Sequence, residues 1–319
     1  MSRLTLTLIV CLSAVAIPAQ EPVSSGAAGA VGAQLQEIGK LIDAGKIELA
    51  RARLKDTVAS HGANSETWFL EARLLFNERQ FNESLKMLER SFALNKGDAN
   101  VYLLSGQNWV VLDRLDLARP FFEQAVQLAP KDPTMHYHLG RYFYTAQRFA
   151  LAERAFRSTV ALDPASSKGY DNLGLALEAQ HKDEEAVAAY RKAIALTEQQ
   201  EIKNEWPCLN LAKFLLDRDQ HEEALSLANQ AHRMNPQSAQ VMFVQGKALH
   251  KLGKDAQSLE ALQRSIQADS GFAESHYLLG RIYLKQGRKQ DAQRELELFQ
   301  EIKKREEKKG GAMAPAARR

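Results

Sequence analysis

The chain has 319 residues, 45% of them apolar and 25% charged, an ordinary composition that fits either two compact domains or one elongated array. Its 42 basic and 39 acidic residues leave a net charge of +3, and residues 303–319 alone hold seven basic and two acidic side chains, or +5. The rest of the chain therefore carries 3 − 5 = −2, without the basic excess that a nucleic-acid binder needs.

The opening segment, MSRLTLTLIVCLSAVAIPAQ, sets Arg3 before an apolar stretch from Leu4 to Ile17, with small Ala19 ahead of Gln20 and Glu21. That layout predicts a cleavable export signal over residues 1–20, followed by a flexible linker over 21–30. The apolar stretch is short for a helix crossing a hydrocarbon core of about 30 Å, and no other segment approaches that length. The mature protein is thus expected in a periplasm or outside the cell, with no integral membrane segment. A lipid anchor is a minor alternative, because Val10 before Cys11 departs from the small residue such a signal uses; an uncleaved signal anchor is another. Cleavage leaves Cys208 as the one remaining cysteine, so no intramolecular disulfide forms and packing must hold the fold.

Helical periodicity fills residues 34–309, with no stretch of strict alternation to suggest a strand. Within it the same spacing returns every 34 residues: Tyr102, Gly106, Ala118, Phe122 and Pro130 are followed by His136, Gly140, Ala152, Phe156 and Pro164. A fixed period of this length signals a solenoid. The order of aromatic, Leu-Gly, small residue, aromatic and proline, with Leu139-Gly140, Leu173-Gly174 and Leu279-Gly280 as its most specific pairs, resembles the tetratricopeptide repeat (TPR). The resemblance implies an all-α, right-handed superhelix of about eight helix-turn-helix units. Counting in steps of 34 sets the array at 31–306: a degenerate unit at 31–64, then 65–98, 99–132, 133–166, 167–200, 205–238, 239–272 and 273–306.

Small residues at the eighth and twentieth positions, such as Gly140 and Ala152, let the two helices of a unit approach closely. Pro130, Pro164 and Pro236 end second helices. Ile38 replaces the expected glycine in the first unit, which reads as a cap. Between Leu196 and Trp206 the spacing slips by four residues, so that second helix is expected to run about one turn longer. Residues 307–319 read as a disordered basic tail.

Catalytic motifs are missing: there is no Gly-x-Ser-x-Gly, phosphate-binding loop, His-Glu-x-x-His or cysteine knuckle. No cofactor or metal is expected, since His136 and His138 point apart on a helix. Cys208 at a packing position reads as a buried, inert thiol. The expected activity is therefore binding, by a scaffold and not an enzyme.

In proteins resembling this one the concave face is lined by first helices. Its ninth positions hold Arg73, Gln107, Arg141, Leu175, Lys213, Lys247 and Arg281, and its fifth positions include Tyr137, Phe243 and Tyr277. Cations and aromatics on this face suit an extended or helical protein segment, an acidic one above all; the rival reading is that these are ordinary exposed helix cations. Asn172 and Asn210, at the sixth position of successive units, resemble a short asparagine ladder for a peptide backbone. The groove candidates are thus Arg73, Tyr137, Arg141, Asn172, Asn210, Lys213, Phe243, Lys247, Tyr277 and Arg281. Two narrower roles stay open: an accessory subunit that targets a glycosyltransferase or protease in another chain, and a pilus or outer-membrane assembly factor. Self-association also stays open.

Overall fold

The computed structural model describes residues 25–310; the expected signal over 1–20 and the last nine residues lie outside that range. Among the described residues there are sixteen helices and no strand. They pair as α1 (Ser25–Asp43) with α2 (Ile47–His61), α3 (Ser65–Asn77) with α4 (Phe81–Leu94), and α5 (Ala99–Val111) with α6 (Leu115–Leu128). Next come α7 (Pro133–Thr145) with α8 (Phe149–Leu162), and α9 (Ser167–Glu178) with α10 (Asp183–Gln199). The last three pairs are α11 (Trp206–Leu216) with α12 (His221–Met234), α13 (Ala239–Lys251) with α14 (Asp255–Ala268), and α15 (Ala273–Lys285) with α16 (Lys289–Gly310).

Local chemistry starts five of the first helices. The side chains of Asn64, Asp98, Asp132, Ser166 and Ser238 accept from backbone N–H groups of the first turn of α3, α5, α7, α9 and α13, which satisfies donors a helix start leaves open. The turn inside each unit is equally regular. Its fifteenth residue is left-handed in every unit: Gly45, Arg79, Asp113, Gln147, His181, Asp219, Gly253 and Gly287. The next residue then donates back to the first helix, as Arg148 does to the Phe143 carbonyl at 2.8 Å and Lys182 to that of Leu177 at 3.0 Å. That 6→1 bond closes the helix end and reverses the chain.

Side chains then lock the pairs. A Cβ on Gly106, Gly140 or Gly174 would stand 2.9, 2.6 and 2.6 Å from the ring of Phe122, Phe156 and Tyr190 respectively. Where the twentieth residue is serine it adds a bond, Ser84 Oγ donating to the Ala72 carbonyl at 2.8 Å and Ser258 Oγ to that of Gly246 at 2.7 Å. Each second helix packs on its own first helix and on the next one, while successive first helices also touch, from α1 with α3 to α13 with α15. Second helices are bridged by long side chains, such as Arg157 to Glu185 and Arg191 to Glu223. The first helices therefore form the inner layer of a superhelical array. Its main core runs from Leu103 to Ala248, flanked by smaller clusters around Ile38 and Leu279.

Three boundaries differ from, or add to, the expectations. Helix α1 begins at Ser25, inside the segment expected as linker; the alanines of its first turns favour helix and offset the glycines among them. Helix α16 continues to Gly310, so residues 307–310 extend it instead of opening the tail; ion pairs such as Lys303 to Glu306 and Arg305 to Glu301 line the turns just before them. Helix α10 has 17 residues against 14 in its neighbours α8 and α12. Its added residues bury Thr197, and Gln200 Nε2 then donates to the Ala165 carbonyl at 2.8 Å.

Candidate functional site

The inner layer collects the groove candidates, but their side chains do not form one uniform stripe. A single register between units sorts them. The ninth residue of one first helix lies opposite the thirteenth residue of the preceding one, so Arg73 pairs with Asp43, and Lys247 Nζ sits 3.3 Å from Asp217. Arg73 also lies over the Phe69 ring, 5.9 Å from its centroid. Lys213 is engaged as well. Phe243 turns inward to Phe272, with ring centroids 5.4 Å apart. These four cations and rings are largely absorbed by the scaffold.

The asparagines are also occupied. Asn210 Nδ2 donates to both carboxylate oxygens of Asp171, at 3.0 and 3.2 Å, and Asn172 Nδ2 donates to the Lys168 carbonyl of its own helix at 2.9 Å. Their amide nitrogens thus face intramolecular partners in this state.

Two arginines remain, and the register says why. The residue opposite Arg141 is Val111 and that opposite Arg281 is Lys251, so neither arginine meets a carboxylate there. Among the described residues neither forms an ion pair; each lies instead along the tyrosine one turn before it. Arg141 Cζ is 6.0 Å from the Tyr137 centroid, and Arg281 Cζ is 5.9 Å from that of Tyr277, with Nη1 3.3 Å from the Tyr277 hydroxyl. Such cation–π contacts leave the guanidinium edge open for hydrogen bonds.

Around Tyr137 the site is most complete. Lys168 approaches the same ring, its Nζ 5.0 Å from the centroid, and this exposed lysine has no carboxylate partner among the described residues. His138 sits beneath the cluster, its Nδ1 3.2 Å from Gln107 Nε2. Burial, reinforced by the positive charges of Arg141 and Lys168, pushes the His138 imidazole down to about 4. Burial likewise raises the Tyr137 hydroxyl, against the pull of Arg141. The result is an uncharged imidazole under two exposed cations, with the Asp171 carboxylate beside the same tyrosine but already accepting from Asn210; the two cations are chemistry for an anion.

Lys168, His138 and Gln107 were not among the sequence candidates. Lys168 stands at the second position of its unit, one helical turn before the fifth position on the same face, so its place was readable; its approach to a ring in the preceding unit was not. Other candidate chemistry resolves into packing. His136 Nε2 lies 2.9 Å from the Pro130 carbonyl, away from His138. Cys208 is fully buried, and burial pushes its thiol up to about 12. Among the described residues no group of three or more His, Cys, Asp or Glu side chains is placed to hold a metal ion, and no helix is long and apolar enough to cross a membrane.

Family models agree with this architecture. Tetratricopeptide-repeat models match residues 69–133, 137–201 and 273–305, and a further TPR-repeat model matches 246–287. The cell division cycle protein 27 homolog of Caenorhabditis elegans is 32% identical over 75 residues, which is 24% of this chain and 10% of that protein. Among solved structures, the APC/C hetero-tetramer Cut9-Hcn1 is similar with a TM-score of 0.66 at 15% identity, over 78% of this chain and 48% of that one. Pseudomonas aeruginosa pilF is similar with a TM-score of 0.56 at 18% identity, over 65% and 97% of the two chains. The chain thus spans about a tenth of the first of these relatives and about half of the second, and at these identities the solved structures share its fold.

Proposed function

Because the chain belongs to the tetratricopeptide-repeat family, we infer that its work is to hold a segment of another protein along the inner layer of first helices. The observation that carries this reading is the cluster of Arg141 and Lys168 on the Tyr137 ring, two cations with no carboxylate partner among the described residues above a nearly neutral His138 floor. Unpaired cations fixed on an aromatic face cost little ordering when a carboxylate arrives. The segment is therefore an acidic one, extended or helical.

The reading is tested by placing a photo-crosslinking side chain at Thr145, on the inner layer near Arg141, or at Lys192 on second helix α10. Capture of a partner from Thr145, lost in an Arg141→Ala/Lys168→Ala background, is the expected result. Capture from Lys192 alone moves the binding face to the other layer and overturns the reading.

The amino-terminal layout of Arg3, the apolar stretch Leu4–Ile17 and Ala19 supports export of this scaffold after cleavage. Fractionation with amino-terminal sequencing should find a mature chain beginning near Glu21 outside the cytoplasm. An intact cytoplasmic chain still bearing Met1 overturns export without touching the groove.

A further inference from the structure

The Tyr137 site has a counterpart at the far end of the same face. Tyr277 is 42% exposed and carries Arg281 along its ring; its other edge packs on Phe299 with centroids 5.2 Å apart. By the register that pairs Lys247 with Asp217, the thirteenth-position residue opposite Arg281 is the exposed Lys251. Lys251, like Lys168, has no carboxylate partner among the described residues. Each site thus offers one tyrosine, one arginine stacked on it and one lysine from the neighbouring unit.

Between the two sites the inner layer is already satisfied. Lys247 is held by Asp217, Asp171 by Asn210, and Glu178 accepts from the Tyr190 hydroxyl at 2.6 Å. Lys213 is engaged too, and Leu175 and Phe243 give the intervening units apolar or half-buried surface. Charge is therefore concentrated at two places, in units 133–166 and 273–306, with an electrostatically quiet stretch across the units that separate them. A ligand with evenly spread acids would leave its middle charges over this stretch without cations.

We propose that the partner is bipartite: an extended segment with two clusters of Asp or Glu carboxylates, one seated at Tyr137, Arg141 and Lys168 and the other at Tyr277, Arg281 and Lys251, joined by an uncharged spacer. This rests on the groove reading above and adds a spacing to it. Two weak carboxylate contacts joined by a spacer of matching length gain affinity through effective concentration.

Val111→Asp and Lys251→Asp supply the missing register partner to Arg141 and Arg281, offsetting the charge of each arginine while keeping it and its tyrosine in place. Both positions are exposed, and circular-dichroism melts check that the fold is kept. The probes are fluorescent synthetic peptides with one Asp-Glu-Asp block, or two such blocks joined by Gly-Ser linkers of graded length, followed by anisotropy with the full chain. The best two-block peptide is expected to bind at least ~10-fold tighter than the one-block peptide. Either variant alone should bring it back to the one-block level, and the two together should take it below that level. If a one-block peptide binds as tightly as every two-block peptide, or if either variant leaves two-block affinity unchanged, the bipartite proposal fails while the acidic groove stands. If no acidic peptide binds at all, the groove reading falls with it.

Discussion

The ring of Tyr190 lies against Gly174 so closely that a Cβ on the glycine would stand 2.6 Å from both Cδ1 and Cε1. The ring cannot swing away, since it is fully buried and its hydroxyl donates to Glu178 at 2.6 Å. Gly174→Val is therefore expected to destabilise the chain by about 3 kcal/mol, at the upper end of ordinary overpacking. Gly32→Ala, whose Cβ meets nothing within 4 Å on helix α1, should be neutral or slightly stabilising. Urea unfolding of both variants decides; equal midpoints would place Gly174 outside a tight junction.

A second stability prediction concerns the turn. Gln147 holds φ at 56°, where Gly45, Gly253 and Gly287 do the same task with no side-chain penalty. A left-handed residue with a Cβ costs roughly 1–2 kcal/mol, partly offset because glycine loses more freedom on folding. Gln147→Gly should thus raise stability by about 0.5–1 kcal/mol, read as a higher melting temperature. A drop would mean that the Gln147 side chain makes a contact worth more than the backbone strain.

Much of the fold was legible because TPR packing is written at fixed spacing within one unit. Gly140 and Phe156 are 16 residues apart, and their contact recurs as Gly106 with Phe122 and Gly174 with Tyr190. The sorting of the groove cations was harder to read. Whether Arg141 is free depends on Val111 in the preceding helix, a relation across units visible only once Arg73 is seen on Asp43 and Lys247 on Asp217. The left-handed turn residues are hard to read from sequence for a local reason, since five of the eight turns use a residue other than glycine. The asparagine pair looked like a ladder by spacing alone, but Asp171, one residue before Asn172, draws Asn210 to itself.

Acid should weaken the junction between units 133–166 and 167–200 through Glu153. Burial alone would raise this carboxyl, but hydrogen bonds from Lys182 at 2.7 Å, Arg157 at 2.9 Å and Gln180 at 2.9 Å outweigh it and hold it down at about 2. With the folded value below the unfolded one, its contribution is present above pH ~4.5 and is lost as pH falls through ~2. The size is at most about 3 kcal/mol at neutral pH. Glu153→Gln should be less stable than the parent at pH 7 and show a shallower decline between pH ~4.5 and ~2. Parallel declines in the two chains would remove Glu153 from the acid response.

The electrostatic character of the groove can be read directly from His138. Burial, then the charges of Arg141 and Lys168, lowers its imidazole from an ordinary 6.5 to about 4. The unfolded chain takes up this proton below pH ~6.5 and the folded chain only below ~4, so stability falls across that window as pH drops and levels off beneath it. Proton NMR of the His138 ring should give a midpoint far under the ordinary 6.5. Arg141→Ala is expected to move it upward by about one unit, the effect of removing one nearby like charge. Saturating the groove with an acidic two-block peptide should also move it upward, because a carboxylate between Arg141 and Lys168 offsets the part of the shift that their charges add to burial. The two shifts share one cause, so the peptide should move the midpoint much less in Arg141→Ala than in the parent. A parent midpoint near 6.5, or a peptide shift of equal size in both chains, would show that His138 does not feel the cations on the Tyr137 ring and that the anion does not sit among them.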